Sequence, residues 1–183
     1  MNDRSGRDGV ERAATLAECE DRPVTEDLER RVAQLEAIEA IRDLKARYAD
    51  VCDTGYDPVR MRPFFTDDAV WDGGPRFGRY EGVDAVCDFF AGVSRQITWA
   101  LHYMVAPVVE IADDLESATA SWYLLEPCTI ATHEGTRAML IAGRYADRYR
   151  LEAEGWKFTE VKLDCQMLSP LDEGWVRTPF WGE

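Results

Sequence analysis

The chain lacks any apolar run near the ~20 residues that a membrane-crossing helix needs, so no span is expected. It also lacks a basic excess: 21 Lys and Arg stand against 35 Asp and Glu, a net charge of −14. A nucleic-acid backbone demands a cationic face and an anionic bilayer attracts one, so neither is an expected partner. Paired cysteines are missing. The five (19, 52, 87, 128 and 165) are scattered, odd in number and never in a CxxC spacing. That pattern excludes a disulfide framework and a cysteine-held zinc, and fits a reducing compartment. Histidine is scarce: His102 and His133 are far apart and no cysteines or acids group around them, so no metal site is expected. The first residues hold no signal-peptide core, and a cytoplasmic location is the expectation. The acid surplus favours solubility and disfavours a strongly anionic small-molecule partner.

What the chain does have is a large apolar share, 46%, with six Trp, seven Tyr and seven Phe in 183 residues. That suits one domain with tails, and a core or pocket of large flat side chains. Residues 1–24 are polar and without period, and are expected to form a disordered arm. The domain is expected over residues 25–168, with residues 169–183 as a tail. Thr25 suits a helix cap, and Leu28, Val32, Leu35, Ile38, Ile41, Leu44, Tyr48 and Cys52 recur at steps of three and four, with Lys45 beside Leu44. That is one stripe on a long helix, stopped at Asp53-Thr54-Gly55. Asp57-Pro58 starts a short second helix. A strand over residues 67–72, a Gly73-Gly74-Pro75 turn and a brief strand over 77–80 come next. Gly82-Val83-Asp84 opens a third helix, with Val86, Phe89, Phe90 and Val93 inward.

From Thr98 the period changes to two, in β-branched and aromatic residues. Four long strands are expected, over 98–112, 116–131, 136–151 and 155–168, with short turns that make neighbours antiparallel. The tail carries Trp175, Phe180 and Trp181 between prolines, and reads as a lid or a strap. Helices followed by a bent sheet make an α+β layout. Packing the greasy helix face into a strongly curved, mainly antiparallel sheet gives a cone with a cavity at one end.

Three polar residues are placed to meet at the mouth: Tyr48, Asp53 at the fraying helix end, and His102, which shares its strand side with Ala100, Met104 and Ala106. A carboxylate beside a histidine makes a general base, and a tyrosine hydroxyl binds a substrate oxygen. Each residue alone is commoner as architecture: a helix-end acid, a core aromatic, a structural histidine. His133 sits in a turn and reads as solvated. Asp67 and Asp68 read as strand-start architecture. Cys128 and Cys165 read as small apolar residues, and an acidic chain does little to lower a thiol pKa for cysteine catalysis.

The ordered motifs IRDLKARYADVCD, FFTDDAVWDGG, GRYEG, ALHYMVAPVVEI, MLIAGRYADRYR and GWKFTEVKL resemble the SnoaL-like branch of the nuclear transport factor 2-like superfamily, over roughly residues 30–170. The resemblance implies the cone-shaped α+β barrel and a deep apolar pocket. It points to cofactor-free lyases such as scytalone dehydratase, bile acid 7α-dehydratase and hexachlorocyclohexane dehydrochlorinase. By motif, Asp53 and His102 match their aspartate–histidine pair, and Tyr48 matches the tyrosine of the bile acid enzyme. The dehydrochlorinase carries a lysine where this chain has Tyr48. Gly73 stands where scytalone dehydratase has a pocket tyrosine, and Cys128 near its second histidine. Glu160-Val161-Lys162 replaces an arginine of some relatives. The pair therefore carries over and substrate identity does not.

Aligned this way, strand alternation points Trp71, Met104, Trp122, Leu124, Glu126, Cys128, Met139, Ile141, Tyr145, Val161, Leu163 and Cys165 inward, and all of these except Cys165 are expected to contact substrate. Glu126 is the exception in polarity: either a structural acid paired with Arg144 or Lys162, or a second catalytic group. The expected activity is β-elimination, with loss of water first, from a small hydrophobic ring-bearing substrate, and without a cofactor. Alternatives are an isomerase, or a non-catalytic ligand-binding or scaffold subunit such as the small subunit of ring-hydroxylating dioxygenases. A homodimer or homotrimer is expected through an outer apolar face that includes Tyr103, Tyr123 and Leu125.

Overall fold

The structure, a computed structural model, describes residues 24–182. The expected disordered arm falls on residues outside these, apart from Val24. The described residues divide between two units, 24–36 in the first and 37–182 in the second. In the first, the described residues begin the long helix α1 (Val24–Asp53), with an Asp27–Arg31 pair at 3.9 Å one turn apart. Thr25 lies inside this helix rather than at its cap. Leu28, Val32 and Leu35 are exposed, so the expected stripe is not buried there.

In the second unit the stripe is buried from Ala37 onward: Ile41, Leu44, Lys45, Tyr48 and Cys52 recur at helical spacing on one side. Gly55 (φ +104°) ends the helix as expected, and the left-handed turn continues into Tyr56 (φ +58°), whose N–H donates to the Val51 carbonyl at 2.9 Å. A left-handed tyrosine is uncommon. Here its ring is buried, stacked on Phe90.

Asp57 caps α2 (Pro58–Met61) by accepting the Val59 N–H. A 3-10 turn (Arg62–Phe64) leads into β1 (Phe65–Asp72), the single turn α3 (Gly74–Phe77), β2 (Arg79–Glu81) and α4 (Val83–Val93). Then come β3 (Ile97–Ala100), β4 (Tyr103–Ile111), β5 (Ser117–Thr132), β6 (Gly135–Glu152) and β7 (Gly155–Pro170). The seven strands form one curved, unclosed sheet in the order β2-β1-β7-β6-β5-β3, with β4 also on β5. It is mainly antiparallel, as expected, and the parallel β1–β7 pair makes it mixed. Asp68 reaches Arg150 at 3.1 Å.

The expected strand over 98–112 is interrupted, and the cause lies on its neighbour. Pairings Ala100↔Cys128 and Tyr103↔Leu125 hold one register across the gap, which sets Leu101 opposite Pro127 and His102 opposite Glu126. Pro127 has no N–H, so that pair keeps only the bond from the Leu101 N–H to the Pro127 carbonyl, 3.1 Å. By the antiparallel alternation the His102 N–H then faces the open sheet edge. Further along, Ala106 (φ +51°) is the extra residue of a bulge. The bulge resets the alternation: Ala106 is exposed, and Val109 and Ile111 face the core instead.

Candidate active site

The break delivers His102 to the end of α1. Asp53, the last residue of that helix, accepts two bonds on one oxygen. The His102 backbone N–H reaches Oδ1 at 2.8 Å and the ring Nδ1 reaches it at 2.7 Å. A carboxylate oxygen that takes both makes Nδ1 the protonated ring nitrogen and leaves Nε2 as the lone-pair nitrogen. The Tyr56 ring meets the imidazole edge-on at 5.9 Å.

The inner face of the sheet supplies the opposite wall. Register aligns His102, Glu126, Ile141 and Leu168 in one row across β4's start, β5, β6 and β7, and all four line a cavity of about 570 Å³. That volume suits one small organic ligand. Tyr48, Cys52 and Tyr56 from α1 and its turn, and Tyr145 and Leu163 from the sheet, complete the floor. Trp71, Phe77, Tyr80, Phe89 and Phe90 make an aromatic side, with Phe89 4.4 Å from Trp71 and 4.3 Å from Tyr80 between ring centroids. Arg76, Trp181 and Gly182 reach the cavity too. The Arg76 guanidinium donates to the Trp181 carbonyl at 3.0 Å and covers the Phe180 ring, and the tail is tied to Leu168 on both sides of Phe180.

Of the expected residues, Tyr48, Trp71, His102, Glu126, Ile141, Tyr145 and Leu163 line the cavity, and Asp53 stands behind His102. Trp122, Leu124, Cys128, Met139 and Val161 are buried in the core as inward residues but do not line the cavity. Met104 packs against the core from a half-buried position, and Cys165 does likewise. Alternation selects the face of a strand but not which inward residues meet the cavity: Trp122 shares its row with Tyr145 and Leu163, which line it, and the Cys128–Met139 row lies between the lining residues Glu126 and Ile130. Tyr56, Phe77, Tyr80, Phe89, Ile130 and Leu168 line the cavity without being marked as wall by the sequence pattern, and Trp181 reaches it from the tail that reads as a lid or a strap. The helical pattern of α4 had marked Phe89 and Phe90 only as inward.

Tyr48 is buried, and its hydroxyl accepts from the Trp71 indole N–H at 3.1 Å. Burial pushes the phenols of Tyr48, Tyr56 and Tyr145 upward, so all three are hydrogen-bond donors at neutral pH. Burial likewise pushes the Cys52 thiol up and Cys128 to about 12, which removes both as nucleophiles. His133 is solvated in its turn, as expected.

Glu126 is not paired with Arg144 or Lys162. Arg144 lies on the outer face, against Ser121 and the Tyr123 ring, and Lys162 is exposed there. Instead Glu126 Oε2 lies 3.4 Å from His102 Nε2. Strand parity decided this: Glu126 is inward on β5, whereas Arg144 and Lys162 are outward on β6 and β7.

One buried pair was missed altogether. Lys45 Nζ meets Asp147 Oδ2 at 2.8 Å with both side chains fully buried, and the Tyr149 hydroxyl donates to the same oxygen at 3.0 Å. Lys45 Nζ also sits 3.6 Å from the Tyr145 ring centroid. Burial pushes the Lys45 amine down and the Asp147 carboxyl up, and the ion pair opposes both. Among the described residues no cluster of His, Cys, Asp and Glu has metal-ligand geometry, and no helix is long and apolar enough to cross a membrane.

A search of the curated proteins finds no match. Among solved structures, a candidate aromatic ring hydroxylase from Novosphingobium aromaticivorans is 30% identical, with a TM-score of 0.67 over 74% of this chain and 94% of that one. The hexachlorocyclohexane dehydrochlorinase from Novosphingobium barchaimii is 23% identical, with a TM-score of 0.67 over 76% and 93%. A candidate scytalone dehydratase from Novosphingobium aromaticivorans is 18% identical, with a TM-score of 0.67 over 75% and 89%. The latter two likenesses speak for the shared fold. The SnoaL-like domain profile matches residues 33–162, which hold both halves of the Asp53–His102 pair, and the chain belongs to that family.

Proposed function

We propose that the protein is a cofactor-independent lyase that eliminates water from a small hydrophobic, ring-bearing substrate. The observation that carries the reading is the double clamp of Asp53 on His102, at 2.7 and 2.8 Å, beside an open aromatic cavity. The clamp leaves Nε2 free to take a carbon-bound proton, and the Asp53 carboxylate stabilises the imidazolium that forms. Tyr48 holds or protonates the departing oxygen. The imidazolium returns the proton, and the products are an alkene and water. The scaffold-subunit alternative needs neither an open cavity nor a histidine facing one.

The aromatic side suits a flat ring. Trp181 and the tail are proposed to close over it. A cytoplasmic homodimer or homotrimer fits the outer face of β3, β4 and β5, where Trp99, Tyr103, Val105, Val108, Tyr123 and Leu125 are exposed together.

The test is a panel of cyclic secondary alcohols with an acidic neighbouring C–H, followed by the ultraviolet absorbance of the new double bond. His102→Ala and Asp53→Asn are each expected to lose on the order of 10²- to 10⁴-fold in turnover with unchanged melting. Near-normal turnover in either variant sinks the assignment.

A further inference from the structure

Glu126 is a buried acid of the cavity that a histidine base alone does not use. It is 4% exposed, and strand register sets it opposite His102. Its Oε2 lies 3.4 Å from His102 Nε2, longer than a well-formed O–H···N bond, and its Oε1 has no hydrogen-bond partner. Two carboxyl groups thus share one imidazole on unequal terms. Asp53 receives two N–H bonds, which suits its carboxylate form, while Glu126 receives none. With one long contact to the His102 ring and none at Oε1, the buried Glu126 carboxylate is the costlier ion, which favours its neutral acid form.

We infer that Glu126 acts as a neutral carboxylic acid that hydrogen-bonds a substrate carbonyl, so that the site takes ring ketones with an acidic C–H beside the carbonyl and catalyses their enolisation. This rests on the reading of His102 as base and narrows the substrate class of the same cavity to β-hydroxy ketones.

The groups that face Glu126 agree. From α1 these are Asp53 and Cys52; from the turn and strands they are Tyr56, His102, Cys128, Tyr145 and Cys165. The thiols and phenols are all pushed upward and stay neutral, which leaves Asp53 and His102 as its charged or chargeable neighbours. Burial pushes the Glu126 carboxyl up to about 7; the His102 imidazole pulls it down and Asp53 pushes it further up. A carboxyl held neutral by an apolar site can donate to a developing oxyanion.

The step balances. The C–H bond breaks and its proton goes to Nε2. The electron pair forms the enol double bond, and the carbonyl oxygen takes the Glu126 proton. The site then holds an imidazolium between two carboxylates, with the same net charge as before. Where a β-hydroxyl is present, the enol proton returns to Glu126 and the carbonyl re-forms. The new double bond expels the hydroxyl, which takes the proton from His102 and leaves as water. Where no leaving group is present, the carbon is reprotonated from His102, and the only net result is exchange of that hydrogen with solvent.

The experiment uses the full chain and β-tetralone, a bicyclic ketone without a leaving group, in heavy water. Deuterium incorporation beside the carbonyl is followed by proton NMR. The wild type is expected to accelerate exchange above the buffer rate. Glu126→Leu should cost on the order of 10²- to 10³-fold, as the loss of an oxyanion donor does. Glu126→Gln, which keeps the shape and an N–H donor but has no proton to give, should fall between them. Circular dichroism checks that each variant is folded; if Glu126→Leu is not, the Gln variant carries the comparison. Absence of exchange by the wild type, or unchanged exchange in the folded variants, overturns the inference. Exchange without any elimination from β-hydroxy ketones supports the inference and removes the dehydratase reading. Elimination from alcohols that lack a carbonyl, without exchange of β-tetralone, does the reverse.

Discussion

Replacing Lys45 by methionine is a direct test of how α1 is seated in the sheet. The ammonium and the Asp147 carboxylate are both fully buried and 2.8 Å apart. Tyr149 supplies a further bond to Oδ2, and the Trp122 side chain also favours the charged form. Methionine fills a similar volume but leaves the carboxyl without its cation. Breaking a buried pair from one side costs ~3–5 kcal/mol, a large fraction of a domain's net stability. The loss has a pH signature. In the variant the folded-state carboxyl sits further above its unfolded value of 3.8 than in the wild type, because burial remains and the lysine is gone. Between those two values the folded form holds one proton more than the unfolded form. Stability therefore falls as pH rises, by ~1.4 kcal/mol per pH unit, and flattens above the folded value. Urea unfolding followed by tryptophan fluorescence, near pH 5 and near pH 7.5, reads both effects. Lys45→Met/Asp147→Leu should recover most of the loss, since well-packed apolar replacements of buried pairs are often neutral or stabilising. A variant within ~1 kcal/mol of the wild type near pH 7.5, or an equal deficit at both pH values, would refute the reasoning.

Two further outcomes are expected. If Glu126 works as the neutral acid, turnover should decline as pH rises through about 7, because a raised carboxyl is protonated only below its pKa; Glu126→Gln should remove that limb, and an unaltered profile counts against the role. In Gly73→Ala, the added Cβ would lie 2.5 Å from Phe77 Cβ and 2.7 Å from the Trp71 ring, so a loss of ~1–3 kcal/mol is expected in thermal melts. An unchanged midpoint would show that Trp71 and Phe77 are not held there.

Much of the architecture is legible in the chain because burial on one side imposes a period. The helical stripe through Ile41, Tyr48 and Cys52 is visible for that reason, and so is the alternation that turns Trp122, Glu126, Tyr145 and Leu163 inward. The Asp53–His102 pair is legible through motif order rather than spacing, since 49 residues separate its members. What the pattern hides are contacts that depend on register. The gap at Leu101 and His102 is caused by Pro127 on the neighbouring strand, and the partner of Glu126 follows only from counting across that gap. The Lys45–Asp147 pair bridges 102 residues. Its signals were present, a lysine beside a buried stripe and an acid between two inward tyrosines, but each looks like a surface charge until both faces are known. The aromatic wall from Phe77 and Tyr80 comes from a short turn and a three-residue strand, which are too brief to carry a period.

Asp53 grips both the ring and the main chain of His102 through one oxygen, and that has a consequence for how such a protein can diversify. On the proposed reading, the nitrogen that takes the proton is held by parts of the fold outside the cavity wall: a helix terminus, a peptide group and a proline on the adjacent strand. Much of the remaining cavity wall comes from other segments, chiefly α3, β2, α4 and the tail. Mutations in that wall therefore leave the Asp53–His102 pair intact. On the proposed reading, a lineage built this way can exchange one substrate for another without passing through an ancestor that has lost its base.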